Sequence, residues 1–572
     1  MWPGRISNRA VIVFWPPWRS DGVNQVSMAL ASRTAVMRRS TRIMAPYNRL
    51  EFRPWFPVFK LVLICLMMAM IVYGSALATV GGTQVLKTVS LPILGLLGVV
   101  IWLLPDADTH SRGETVDLPF LPVLLTFIAS IIVWPSYIAI VIPGLPWITP
   151  PRLILAVLLA MMLIYYPQRG RVRSQIVDTL GYDRIAISLF LLYECLNFIV
   201  LPLSPGPAET ASYWALQDVM NFSAVIGAAA FLHNPKNFKP IYAVVTCVAI
   251  YSMLVAVLEN YMQIPPWAEN IPSFMRIDED WLARILSPQA RIGDTRYRIR
   301  STFPVVLYYT LYLSLVMPMV LYAMTRMTGR FRILGLGLIV LVLHTAWFAN
   351  ARTAIIALIV PLVCFSVMTV ARSIANGSRR DALKFGIRGM MVLMAVGMLG
   401  GVLATSHRAQ MYVFGGKQHA GSNLAREKQW ANAWAQLAKN PVGVGLGNSI
   451  EIVGVDVRGK KIVDSLYINM LVDLGYLGFI AYFGMFLRCA WLGVRCFLRA
   501  ANEYEEYAGA AAVGLIGYTI NCSVVSNTDS AYLAFLFCGL IIATKRHQDR
   551  RITEEAKNVG KGESTALAPV RR

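Results

Sequence analysis

The chain has 572 residues, of which 56% are hydrophobic and only 15% charged, and its mean hydropathy is +0.55. A soluble protein carries roughly a quarter charged residues, so the composition excludes an ordinary soluble globular fold. The net charge of +22 would suggest nucleic acid in a soluble protein. Here the basic residues sit mainly in short segments between apolar stretches, where membrane topology accounts for them, and no nucleic-acid partner is implied.

Residues 1–55 are rich in arginine and lack an apolar core followed by a small-residue cleavage site. They read as a basic cytoplasmic tail, partly disordered. Apolar windows of bilayer-spanning length then predict helices near 56–80, 88–105, 119–142, 151–167, 185–203, 214–233, 239–259, 304–324, 332–350, 353–371, 386–405, 464–487, 507–523 and 529–545, about fourteen in all. The expected fold class is therefore an all-α integral membrane protein. Lys and Arg concentrate in alternate short loops, such as Arg169, Arg171 and Arg173, or Arg326, Arg330 and Arg332. One sense of insertion fits every short loop, with both termini cytoplasmic. Two long loops, roughly 260–303 and 406–463, then fall outside. Residues 56–260 form an N-terminal bundle, 261–303 an outside loop, 486–545 the C-terminal helices and 546–572 a cytoplasmic tail. No internal repeat is visible, which disfavours inverted-repeat transporter folds.

The eight cysteines, among them Cys65, Cys195, Cys364 and Cys538, lie in or beside apolar segments without metal-ligand spacing. No disulfide framework, metal site or cofactor is implied. Glu194 lies mid-span, with Asp218 and Asn221 in the next span; buried carboxylates in a membrane are costly and are usually functional or paired. Arg296, Arg298 and Arg300 alternate along the end of the first long loop, where a solvated charge run is the simplest reading. His344 reads as a packed core histidine.

Arg352 sits at an outer junction between two spans joined by almost no loop. It can snorkel as an anchor or bind phosphate through paired donors. In the second long loop, Leu424 to Ala438 favours a helix, with Arg426, Trp430 and Trp434 at i, i+4 spacing. An amphipathic helix lying on the membrane is the alternative. Asn440-Pro441 stops this helix, and Gly443, Gly445 and Gly447 permit a tight turn whose backbone N–H groups are available to an anion. Asp464-Ser465 opens the next span. The pair suits a helix N-cap, and a carboxylate there can also orient an acceptor hydroxyl or act as a base.

Together these segments resemble the O-antigen ligase and polymerase superfamily of bacterial surface-polysaccharide assembly. The resemblance rests on Asn350 to Ala354, on Asn423 to Trp430, on Asn440 to Gly447, and on Asp464-Ser465 followed nine residues later by Gly475-Tyr476-Leu477-Gly478. An Arg300 to Pro304 element before the eighth span is also similar. The resemblance covers residues 296–485 and includes the long loop 406–463. It implies a GT-C-like, metal-independent, inverting glycosyltransferase of the inner membrane. The donor would be an undecaprenyl-diphosphate-linked glycan, and the active site would be periplasmic. Arg352, Arg426 and Asp464 would be catalytic; Arg298, Arg300, Trp430, Ser465 and Glu194 would bind substrate. A flippase and chain-length or export proteins are the partners it implies.

Ligases of the superfamily carry histidine where this chain has Asp464. That departure, and a span count above twelve, favour a polymerase joining lipid-linked repeats into exopolysaccharide or capsule. A ligase acting on lipid A core is the alternative within the family. A flippase or solute transporter is the alternative outside it. Convergence of Arg352, Arg426 and Asp464 on one site discriminates an enzyme from a transporter or a scaffold.

Overall fold

A computed structural model describes residues 119–140, 147–168, 170–231, 237–275, 282, 285–286, 297–375, 420–457, 460–526 and 530–566. The expected tail 1–55 and the expected spans 56–80, 88–105 and 386–405 lie outside these residues, as do parts of both long loops. In chain order the helices are α1 (Phe120–Val133), α2 (Pro150–Gln168), α3 (Gly170–Leu180), α4 (Arg184–Val200), α5 (Pro207–Phe231), α6 (Phe238–Met262), α7 (Val306–Thr325), α8 (Arg332–Phe348) and α9 (Arg352–Ala375). After a gap come α10 (Ala420–Lys439) and α11 (Asn448–Val453), a hairpin of β1 (Val455–Val457) and β2 (Lys460–Ile462), then α12 (Leu466–Leu498), α13 (Glu503–Cys522) and α14 (Ala531–Ala566).

Every other expected span coincides with one of these helices. Among the described residues, five helical stretches are long and apolar enough to cross a bilayer: Arg184–Leu203, Phe238–Met262, Val306–Thr325, Arg352–Arg372 and Leu466–Leu498. Three shorter ones, Phe120–Val133, Pro150–Met162 and Arg332–Phe348, are also apolar. The architecture is that of an all-α, multi-pass membrane protein.

Two boundaries differ from the sequence expectation. The span expected over 119–142 ends as a helix at Val133, because Trp134 precedes Pro135 and takes an extended conformation. The helix expected to end near 545 continues to Ala566. Ion pairs hold the added turns: Arg551 bridges to Glu505 at 3.1 Å and to Glu555 one turn on at 2.9 Å, and Arg546 pairs with Asp178. At this end of the bundle Arg488 also pairs with Asp183 at 2.8 Å, and Arg372 with Glu506 at 2.8 Å. Among the described residues, the short-loop arginines Arg326, Arg372 and Arg488 all pair at this end of the bundle.

The core is aromatic. Tyr482 on α12 meets Tyr193 of α4 and Phe486 of its own helix with ring centroids 4.9 Å apart in both cases, and Phe486 meets Tyr518 of α13 at 5.5 Å. Such tilted and edge-on contacts are the favoured aromatic geometries.

At the opposite end, the close of the first long loop is pinned to α6 by a buried carboxylate that the sequence did not single out. Glu259 is fully buried and accepts from the Tyr297 hydroxyl at 2.7 Å and from the backbone N–H groups of Arg300 and Ser301 at 2.9 and 2.6 Å. Its carboxylate lies 3.5 Å from Nε of Arg300, also fully buried. The solvated charge run expected here therefore does not hold at Arg300. Earlier in the same loop, the indole of Trp267 donates to Tyr137 at 2.9 Å within a small cluster formed by Tyr137, Ile138, Ile271, Leu282 and Ile285. Removing one partner of a buried pair strands the other charge. Glu259→Ala is accordingly expected to cost about 3–5 kcal/mol, read as a large drop in the thermal unfolding midpoint of the detergent-solubilised protein. An unchanged midpoint would show that the pair holds nothing together.

Candidate active site

The second long loop is organised around a break in α12. Gly475 has φ +67° and ψ −169°, outside the helical range. A Cβ there would lie 2.3 Å from the Pro441 carbonyl oxygen, so glycine is required. The break removes helix partners from nearby backbone groups, and those groups must pair elsewhere. The Asn440 to Gly447 turn supplies the partners. Val444 N–H donates to the Val472 carbonyl at 3.0 Å, Gly445 N–H to the Asp473 carbonyl at 3.1 Å, and Tyr476 N–H donates back to Pro441 at 3.2 Å. Gly443 and Gly445, with φ +102° and +103°, are the positions where this turn touches its supports. A Cβ on Gly443 would meet Asp473 at 2.5 Å, and one on Gly445 would meet Leu203 at 2.7 Å.

The sequence suggests that the glycine turn offers its N–H groups to a ligand anion. They are already taken: Gly443 and Gly445 donate to the main-chain carbonyls of Asn440 and Asp473, and Gly447 donates to the carboxylate of Asp473. That carboxylate accepts from Gly447 N–H at 3.0 Å, Ser449 N–H at 2.7 Å and the Ser449 hydroxyl at 3.1 Å. Asp473 falls within the Asp464 to Gly478 motif, which assigns it no role. Its legible signal is a carboxylate inside an apolar span.

The rest of the loop packs on this support. Ala433 of α10, Val453, Val463, and Ile468 and Val472 of α12 form a small buried cluster, against which Trp430 and Val444 pack. Trp430 stacks with Trp434 at 5.8 Å, and Trp434 remains half-exposed. The membrane-surface helix considered from sequence is therefore, at Trp430, a helix packed on its own domain. Gln429, almost fully buried, ties three segments: its amide donates to the Ile462 carbonyl at 2.9 Å and accepts from Asp464 N–H at 3.2 Å. The β1–β2 hairpin, paired antiparallel with Val455 opposite Ile462, leads directly into Asp464.

This scaffold puts two of the three expected catalytic residues in contact and leaves the third, Arg352, within electrostatic range of Arg426. Asp464 Oδ2 lies 3.4 Å from Nε of Arg426, with the two side chains 26% and 30% exposed. Arg352 is the first residue of α9 and is half-buried. It stands there because Asn350 adopts the left-handed conformation, φ +46°, which ends α8 and lets α9 start at once. Arg352 lies close enough to feel the charge of Arg426. Nε of both arginines is shielded from solvent and has no hydrogen-bond partner.

The electrostatics are those of an anion site. A guanidinium at a helix N-terminus opposes the helix dipole, and a second guanidinium beside it adds repulsion. One partly exposed carboxylate offsets only part of this, and pairs of that kind contribute about 1 kcal/mol or less to stability. An arrangement that is poor for stability and holds two fork-shaped donors suits an oxyanion with several acceptor atoms.

The remaining expected site residues lie apart from this group or support it. Ser465 caps α12 without a side-chain cap bond and is buried, its hydroxyl 3.5 Å from the Cys522 carbonyl. Arg300 belongs to the Glu259 pair, with Arg298 beside it on the same segment, and Glu194 belongs to the α4–α5 contact. His344, expected in the core, is half-buried at an apolar groove between α6 and α8, with Asn260 Nδ2 3.5 Å from its Nε2.

The fold and site thus define a multi-pass α-helical membrane protein in which Arg426 and Asp464 of the second long loop stand near Arg352 at the start of α9. The family model described as O-antigen ligase matches residues 337–483, a segment that contains Arg352, Arg426 and Asp464. This segment is similar to the O-antigen ligase family, in agreement with the resemblance read from the sequence. The Arg300 to Pro304 element lies outside the matched residues. No curated protein matches the chain.

The docking of the turn is testable by hydrogen exchange. The amides of Val444, Gly445 and Gly447 are expected to be protected in the wild type and to exchange rapidly in Gly475→Ala, while amides of α13 keep their protection. Equal protection in both proteins would mean the helix break does not hold the loop.

Proposed function

We propose that the protein is a polysaccharide polymerase that joins undecaprenyl-diphosphate-linked oligosaccharide repeats into exopolysaccharide or capsule at the periplasmic face of the bacterial inner membrane. The observation that carries this reading is the convergence of Arg352, Arg426 and Asp464. A transporter or a scaffold gives no reason for two like charges to be held together at the outer end of the bundle.

In this reading the two guanidiniums bind the donor's diphosphate. An acceptor hydroxyl attacks the anomeric carbon of the donor glycan with inversion, and the bond to the diphosphate oxygen breaks. Negative charge grows on the departing undecaprenyl diphosphate, where Arg352 and Arg426 stabilise it without a metal ion. Asp464 orients Arg426 and accepts a hydrogen bond from the acceptor hydroxyl, whose proton passes to solvent or to the departing diphosphate as the new glycosidic bond forms. The groove between α6 and α8, lined by Leu254, Val257, Leu338 and Leu341 among others, provides an apolar path along the helix that ends at the Asn350 turn. Part of the isoprenoid tail would lie there. The gathering of basic residues at the far end of the bundle supports a cytoplasmic placement of that end.

Polymerase is preferred to ligase because Asp464 stands where ligases of the family carry histidine. The test uses a null mutant complemented by wild type, Arg352→Ala, Arg426→Ala or Asp464→Ala, each checked for membrane abundance. Loss of one such preorganised donor typically costs on the order of 2–4 kcal/mol, so transfer by each arginine variant is expected to fall on the order of 30- to 1,000-fold. Single lipid-linked repeats should accumulate on the periplasmic side while long polymer disappears. Accumulation of long lipid-linked polymer would identify a ligase. Repeats trapped on the cytoplasmic side would identify a flippase and overturn the glycosyl-transfer mechanism.

A further inference from the structure

A second polar group lies inside the helix bundle, away from the arginine site. Two ring contacts set the antiparallel register of α4 and α5: Phe190 meets Phe222 at 6.2 Å, and Phe198 meets Trp214 at 6.3 Å. Phe190, Glu194 and Phe198 follow one another at i, i+4 on α4, as do Trp214, Asp218 and Phe222 on α5. Midway between the two ring contacts, Glu194 therefore falls opposite Asp218. The two carboxyl groups interact electrostatically. Asp218 is 8% exposed, and Glu194 is half-buried.

Asn197 lies one turn from Glu194 and Asn221 one turn from Asp218, on the same faces, and these amides are only 1% and 2% exposed. Asp218 Oδ2 and the amide oxygen of Asn221 are shielded from solvent and without a hydrogen-bond partner, while the Trp214 indole faces the Glu194 carboxyl and the Tyr193 hydroxyl faces the Asn197 amide. Nor does either carboxyl group form an ion pair among the described residues. The titratable groups that face the pair are Tyr193 on α4 and Tyr482 on α12, with Cys538 of α14 behind Tyr482. None of these is a cation.

Two facing carboxylates without a counter-charge, in an apolar bundle, are too costly to stand alone. Two carboxyl groups and two amide oxygens from two helices, with no cation among the described residues to offset them, form a hard-ligand set. We propose that Glu194 and Asp218, flanked by Asn197 and Asn221, form an intramembrane site for one small monovalent cation, Na⁺ or a proton. A proton would be shared between the two carboxyl groups. Na⁺ would draw in the amide oxygens as well. The α4 end of this site leads within a few residues to Leu203, whose carbonyl accepts from Asn448 Nδ2 at 2.9 Å. Occupancy thereby bears on the segment that receives the catalytic loop. The inference stands apart from the glycosyl-transfer reading, because its test measures stability alone.

The experiment follows thermal unfolding of the full-length protein in detergent by tryptophan fluorescence. NaCl is compared with choline chloride at equal ionic strength, and mildly acidic with mildly alkaline pH in choline chloride. The variants are Glu194→Gln and Asp218→Asn. If Na⁺ is the occupant, the wild-type midpoint rises by about 2–4 °C in NaCl and neither variant responds. If the proton is the occupant, Na⁺ has no effect and the wild type loses stability on alkalinisation, because the neutralising proton leaves; both variants lose that dependence. A wild type indifferent to both ions, or variants that respond as the wild type does, overturns the proposal. If one variant fails to fold, the response of the other decides the matter.

Discussion

A helix that breaks inside a bundle leaves carbonyl and N–H groups that must find partners, and here that need positions the candidate site. The left-handed conformation at Gly475 frees the carbonyls of Val472 and Asp473 and the N–H of Tyr476, and the Asn440 to Gly447 turn takes all three. The same turn delivers Gly447 and Ser449 to the Asp473 carboxylate. A long loop is thus joined to the bundle by main-chain bonds, which depend on backbone geometry alone. Its small apolar cluster and Gln429 then fix α10 and Asp464 relative to that joint. Arg426 is carried to its place by this chain of supports, and Arg352 by the independent Asn350 turn.

The two arginines come from separate segments, and the charge of each is unfavourable to the other. Proteins commonly place unfavourable charge where a ligand completes it. The Arg426–Asp464 contact at 3.4 Å is loose and partly solvated, so its contribution is to orientation more than to stability. The buried Glu259–Arg300 pair shows the contrasting case, in which a basic residue is withdrawn from solvent to tie a loop to a helix. Both pairs use arginine near the same end of the bundle, and burial separates their roles.

Much of this was legible from residue order. The helices announced themselves through apolar length, because every backbone group in a bilayer must be satisfied within its own segment. The proximity of Arg426 to Asp464 was legible in part, because each sits in a short motif beside turn-forming or helix-capping residues. The supports were harder to read. Asp473 and Glu259 are carboxylates within or at the end of apolar stretches, and their partners lie 24 to 42 residues away. The glycine turn was recognisable as a donor of N–H groups, but linear order does not say which acceptor arrives. Arg300 looked solvated because its alternation with Arg298 suggested one exposed face, and only the position of Glu259 across the loop reverses that. The end of α14 was misplaced because apolarity stops near residue 545 while ion pairs with Asp178 and Glu505 continue the helix.

The central claim is that Arg352 and Arg426 together bind the diphosphate of a lipid-linked donor. The most direct measurement is equilibrium binding of undecaprenyl diphosphate, undecaprenyl monophosphate and undecaprenol to the purified protein in lipid nanodiscs, for wild type, Arg352→Ala and Arg426→Ala. The account requires the wild type to prefer the diphosphate over the alcohol, and each substitution to remove most of that preference while leaving affinity for the alcohol unchanged. Equal affinity for all three lipids, or a diphosphate preference that survives both substitutions, would contradict it.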